Sequence, residues 1–144
     1  PYIDEDRMAI WGWSYGGFMA LNCLTYGNET FKAGISIAPV TDWRLYNTAY
    51  TERFMSTPQE NDYGYEQSDL IEKAHLLKGK LLLCHGTADD NVHIQHAMLY
   101  CNALVEAGIQ FEMQIYPNKN HSILGAKTRH HLYTRFNTFL KNNL

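Results

Sequence analysis

Three short segments hold residue types that could do nucleophilic chemistry. The first is Gly12-Trp13-Ser14-Tyr15-Gly16, a GxSxG pattern. Five residues make a weak motif alone, but the setting strengthens it. The apolar run Arg7-Met8-Ala9-Ile10-Trp11-Gly12 precedes Ser14. Residues 15–26 place Phe18, Leu21 and Leu24 at helical spacing, with Gly27 as a stop. A strand, a tight turn and a helix push a serine hydroxyl out of a sheet top, beside the amide donors of the helix N-terminus. In so tight a turn, side chains at Gly12 and Gly16 are expected to collide with backbone. Gly17 should let the helix pack closely.

A serine nucleophile needs a base, and the base needs an orienting carboxylate. His85-Gly86-Thr87-Ala88-Asp89-Asp90-Asn91 follows the third apolar run, and Asn118-Lys119-Asn120-His121-Ser122 follows the fourth. Asp89 and Asp90 are both candidates for the acid, since neighbours in a loop can each point either way. Of seven histidines, His121 alone lies in the loop after the last strand. His85 sits at a strand end, where it would brace the turn. The order serine, acid, histidine across three strand ends is the pattern of acyl transfer on an open α/β sheet.

The elements that must position these residues alternate along the chain. Strands are expected at residues 7–12, 33–38, 80–86 and 111–117, and helices at 15–26, 91–106 and 124–140. That alternation predicts an α/β fold, a mostly parallel sheet with helices on both faces. Lys80-Leu81-Leu82-Leu83-Cys84-His85-Gly86 reads as a strand buried on both sides. About forty residues between the second and third strands are too many for a simple crossover. There Trp43, Tyr46, Tyr50 and Phe54 recur at steps of 3, 4 and 4, one aromatic face of one helix. Such a face either packs on the sheet or walls an apolar pocket.

Composition sets the bounds. A chain of 144 residues, 45% hydrophobic and 19% charged, is one globular domain and excludes disorder. A net charge of −3 leaves no basic stripe for nucleic acid, and no apolar run is long enough to span a membrane. Cys23, Cys84 and Cys101 have no zinc spacing, and no disulfide is expected; Cys84 reads as an inert core thiol. His93 and His96, three apart, read as a solvated face rather than a metal site, and His130 and His131 as surface. No metal or other cofactor is called for.

Gly12-Trp13-Ser14-Tyr15-Gly16-Gly17, His85-Gly86-Thr87-Ala88-Asp89-Asp90-Asn91-Val92-His93 and Tyr50-Thr51-Glu52-Arg53-Phe54-Met55 together resemble the dipeptidyl peptidase IV branch of the prolyl oligopeptidase family. The resemblance covers nearly the whole chain. It implies the C-terminal half of an α/β-hydrolase domain, with Ser14 as nucleophile, Asp89 rather than Asp90 as acid and His121 as base. It implies an oxyanion donor in the Tyr15 N–H, and a proline pocket walled by Val40, Trp43, Tyr46, Tyr50 and Val92. Asn91 would help hold the substrate carbonyl. The implied substrates are peptides with penultimate proline or alanine. The implied setting is a homodimer that is periplasmic, cell-surface or secreted.

By the same resemblance, the earlier strands, a second oxyanion donor and a β-propeller with paired glutamates lie outside residues 1–144. The 144 residues alone are therefore expected to be inactive, with one flank of the first strand bare and open to pairing. An esterase or lipase of the same fold, and a non-catalytic interaction domain, are the competing readings.

Overall fold

The computed structural model describes residues 2–27 and 29–144. Four strands form one parallel sheet in chain order: β1 (Ala9–Trp13), β2 (Ala33–Ile37), β3 (Lys80–Gly86) and β4 (Glu112–Tyr116). Register pairs Trp13 with Ile37, Ile37 with Cys84, and Gly86 with Tyr116. Every strand therefore ends at one edge of the sheet. Five α-helices among the described residues surround it: α1 (Tyr15–Tyr26), α2 (Thr48–Met55), α3 (Asp62–Ser68), α4 (Gln95–Glu106) and α5 (Ala126–Asn143). No described helix is long and apolar enough to cross a membrane. The mixed α/β class and parallel sheet read from the sequence are borne out.

Period-two alternation assigns the two sheet faces. Ile35, Ile37, Leu82 and Cys84 point to Leu132, Phe136 and Phe139 of α5. Leu81 faces the other way, into a core with Leu21 and Leu24 of α1 and Tyr100 and Leu104 of α4. Gly34 faces α1, where a Cβ would stand 2.5 Å from Leu24. Its lack of a side chain sets the helix–sheet distance. β1 and β4 are the two edge strands, and Trp11 of β1 is 57% exposed against Phe136.

Several boundaries differ from the sequence reading, α5 among them at Ala126–Asn143 rather than 124–140, and three differences have a visible cause. β1 starts at Ala9 because Asp4 caps a 3-10 turn over Glu5–Arg7. α4 starts at Gln95 rather than residue 91, because the Asp89 carboxylate takes the amides of Asn91 and Val92. The single aromatic helix is corrected to two pieces. Asp42 caps a 3-10 turn over Trp43–Leu45, Tyr46 is extended, and Asn47 caps α2 by accepting from the Tyr50 amide. The aromatic rings still meet across the break: Trp43 stacks on Tyr50 at 6.0 Å and 17°, and Tyr46 packs edge-on against both.

Candidate active site

Ser14 occupies the one-residue turn between β1 and α1. Its backbone is at φ 59°, ψ −118°, a conformation that costs of order 1–3 kcal/mol and is held by its surroundings. The Ser14 amide donates to the Ile37 carbonyl at 2.8 Å, tying the turn to the end of β2. A Cβ on Gly12 would lie 2.0 Å from the Gly16 carbonyl oxygen. A Cβ on Gly16 would meet nothing within 4 Å, so the collision expected there is corrected. Gly17, 2.8 Å from the Ile37 carbonyl at its virtual Cβ, takes that role and admits α1 to the sheet. Tyr15 is the first residue of α1, so its amide has no intrahelical acceptor.

Asp89 and His121 come from the turns after β3 and β4. Backbone bonds join these turns: the Thr87 amide donates to the Tyr116 carbonyl at 3.1 Å, and Ala88 to Lys119 at 3.0 Å. A Cβ at Gly86 would stand 2.2 Å from the Lys119 carbonyl, so only glycine permits this approach. Ile123 sits at φ 47° and is fully buried, so packing holds a strained residue two positions after His121.

His121 Nδ1 lies 2.8 Å from Asp89 Oδ2. The Asp89 side chain is fully buried, and 18% of the His121 side chain is exposed. Asp89 Oδ1 accepts from the amides of Asn91 at 3.0 Å and Val92 at 2.9 Å. Burial pushes the Asp89 carboxyl up, but bonds from His121, His85 and the Asn91 amide outweigh it and hold the group well below the usual carboxylate range. Asp90 is exposed and is not bonded to His121. The structure thus brings Asp89 to the imidazole. The Ser14 hydroxyl makes no hydrogen bond among the described residues. The link between the Ser14 and His121 loops is instead Trp13, whose Nε1 donates to the His121 carbonyl at 2.8 Å. Arg129 stacks on the Trp13 ring at 5.1 Å and donates to the Ser122 carbonyl at 2.8 Å.

The aromatic cluster adjoins Ser14 through Tyr15, whose ring is 5.9 Å from Trp43. Tyr15, Phe18, Trp43, Tyr50, Phe54 and Met55 are among the residues lining a cavity of about 370 Å³. Tyr46 does not line it; its hydroxyl donates to Asn91 Oδ1 at 2.6 Å. Val40 and Val92 are buried in the core beside Trp43.

The remaining histidines fall into distinct settings. His93 is exposed and precedes α4. His96 corrects the expected solvated face: it is 1% exposed, and its Nδ1 accepts from the Thr41 amide at 3.2 Å. Burial first, then nearby histidines, lower its pKa to about 4. His96 thereby pins the start of the loop that carries Trp43. Sequence spacing held the signal, since His96, Ala97, Tyr100 and Leu104 share one helical face. His130 and His131 are at the surface, as expected, with His131 Nδ1 3.0 Å from the Tyr116 hydroxyl. Cys23, Cys84 and Cys101 are free, and burial pushes the Cys84 thiol up to about 12.

The sequence profile of the prolyl oligopeptidase family matches residues 1–144. The crystal structure of Porphyromonas gingivalis dipeptidyl peptidase 4 superposes with a TM-score of 0.97 at 58% identity, over 100% of this chain and 20% of that one. A protein of Aspergillus oryzae named "Probable dipeptidyl-aminopeptidase B" is 46% identical over 145 residues, covering 99% of this chain and 16% of its own length. A Botryotinia fuckeliana protein of the same name is 44% identical over 144 residues. The chain therefore spans between 16% and 20% of the lengths of these relatives.

Proposed function

The chain belongs to the prolyl oligopeptidase family, and on that premise we propose that the whole protein is a serine exopeptidase that removes Xaa-Pro or Xaa-Ala dipeptides from peptide N-termini. The observation that carries this reading is the bond of 2.8 Å from His121 to the buried Asp89, in a loop that Trp13 ties to the strained strand-to-helix turn at Ser14. With Nδ1–H committed to Asp89, His121 Nε2 is left as the base. It takes the Ser14 proton as Oγ bonds to the carbonyl carbon after proline. The Tyr15 amide stabilises the oxyanion. As the C–N bond breaks, His121 returns the proton to the leaving amine. Water then attacks the acyl-enzyme by the same proton route and frees the dipeptide.

Specificity in this reading comes from the aromatic cluster. Proline has a fixed ring and no N–H, so flat apolar walls select it by shape. The stacked Trp43 and Tyr50 supply such walls, with Tyr46 beside them and Val40 and Val92 packed behind. Asn91, steadied by Tyr46, faces the substrate carbonyl in this reading.

The test is turnover of a glycyl-prolyl chromogenic substrate by the full-length protein, beside short acyl esters. Prolyl turnover that Ser14→Ala abolishes is the expected result. Ester hydrolysis without prolyl turnover would instead identify an esterase. We further propose that residues 1–144 are part of one catalytic domain of a homodimeric protein. On their own they turn over little or none of this substrate, because the groups that bind its amino terminus lie elsewhere in the family's pattern.

A further inference from the structure

Taking Asp89 as the triad acid, as in the reading above, we propose that His85 is a positioning residue that aims the Asp89 carboxylate at His121 and locks the 89–92 turn. His85 belongs to β3 and is completely buried. Its Nε2 lies 2.8 Å from the Val92 carbonyl and 3.3 Å from Asp89 Oδ2. Both are acceptors, so Nε2 carries the proton and shares it between them. Nδ1 is then the lone-pair nitrogen, and it is buried with no partner among the described residues. A donor there would be buried without an acceptor, which favours the tautomer with its proton on Nε2.

One N–H thus ties the two ends of the turn together. With it, the Asp89 carboxylate is fully engaged: Oδ1 by the Asn91 and Val92 amides, Oδ2 by His121 and His85. Neither oxygen is free to rotate away from His121. Asn91 belongs to the same turn, so His85 also couples the orientation of the base to the residue that meets the substrate. The titratable groups around the carboxylate are His85 from β3, His121 from the loop after β4 and His96 from α4. Burial holds His96 neutral near pH 7.

The test uses His85→Leu and His85→Gln in the full-length protein, read by pH profiles of prolyl turnover and of fluorophosphonate labelling. In His85→Leu, Oδ2 loses a donor and holds the His121 proton more tightly. The acid limb of kcat/KM then moves to higher pH, and kcat falls about tenfold with KM unchanged. In His85→Gln a side-chain amide can donate in place of Nε2, restoring the limb and bringing kcat to within about threefold. A folded His85→Leu protein with an unchanged pH profile overturns the proposal. So does a loss in His85→Gln as large as in His85→Leu, which would mean that only ring packing matters. If His85→Leu does not fold, the Gln variant decides on the same criterion, a tenfold loss counting against. Wild-type protein that is labelled but cleaves no prolyl substrate removes the dipeptidyl reading and leaves this test intact through labelling. Absence of labelling in the wild type overturns both.

Discussion

The indole Nε1 of Trp13 donates to the backbone carbonyl of His121 at 2.8 Å, joining the residue before the candidate nucleophile to the candidate base across 108 positions of sequence. Arg129 lies over the same indole and holds the next carbonyl, that of Ser122. The His121 loop therefore takes its position from β1, not only from β4. Trp13→Phe keeps a ring for Arg129 to cover and removes the donor. We expect a lower kcat, by about tenfold, at unchanged KM, with about 1 kcal/mol lost in stability. Steady-state kinetics and a thermal melt check both. A change confined to KM would mean that the bond does not position the base.

Asp89→Asn tests the carboxylate directly. The amide fits the same space but cannot stabilise an imidazolium, and it can present N–H where His121 needs an acceptor. Loss of kcat by about 10⁴-fold is the expected scale for such a triad. The same group bears on acid stability. Its pKa is depressed by folding, so its stabilisation is present above the ordinary carboxylate range and is lost as pH falls through the folded value. Denaturant melts between pH 6 and pH 2 should therefore show a shallower acid loss in Asp89→Asn than in the parent.

His96 gives a second acid-sensitive step at higher pH. Burial lowers its pKa from an ordinary 6.5 to about 4. The unfolded chain thus binds a proton between these values that the folded chain refuses. Stability is full above about pH 6.5 and falls as pH drops toward 4, by about 3 kcal/mol over that span. Replacing His96 with glutamine, which can still accept from the Thr41 amide but does not titrate, should flatten this part of the curve. An equal slope in parent and variant, measured by urea unfolding at pH 7 and pH 4.5, would show that another group is responsible.

The contrast between legible and hidden features follows from range. Leu81, Leu82, Leu83 and Cys84 announce a strand covered on both faces, and they form one. GxSxG between an apolar run and a helical pattern located the turn at Ser14, because its geometry is local. Asp89 and Asp90 could not be separated from their residues alone. What distinguishes them is an Asx-type turn onto Asn91 and Val92 and a long-range contact with His121. Aromatic spacing hid the break at Tyr46, although Asp42 and Asn47 were both readable as helix caps. Trp13 left no signal at all: its partner is a backbone carbonyl, which any residue could supply.

Tyr50 offers the sharpest test of the pocket. It stacks on Trp43 at 6.0 Å and 17°, and packs edge-on against Tyr46 at 5.3 Å. It is 39% exposed, and no hydrogen bond to its hydroxyl is seen among the described residues, so its contribution is the ring face. Tyr50→Phe keeps that face and should leave prolyl turnover within about twofold. Tyr50→Ala removes it and frees Trp43 to tilt. A proline ring covers more of an aromatic face than an alanine methyl does, so it loses more when that face goes. The expected result for Tyr50→Ala is a fall in kcat/KM of about tenfold for glycyl-prolyl substrate and a smaller fall for glycyl-alanyl substrate. Equal losses on both substrates would show that Tyr50 supports the fold of the loop rather than the choice of residue.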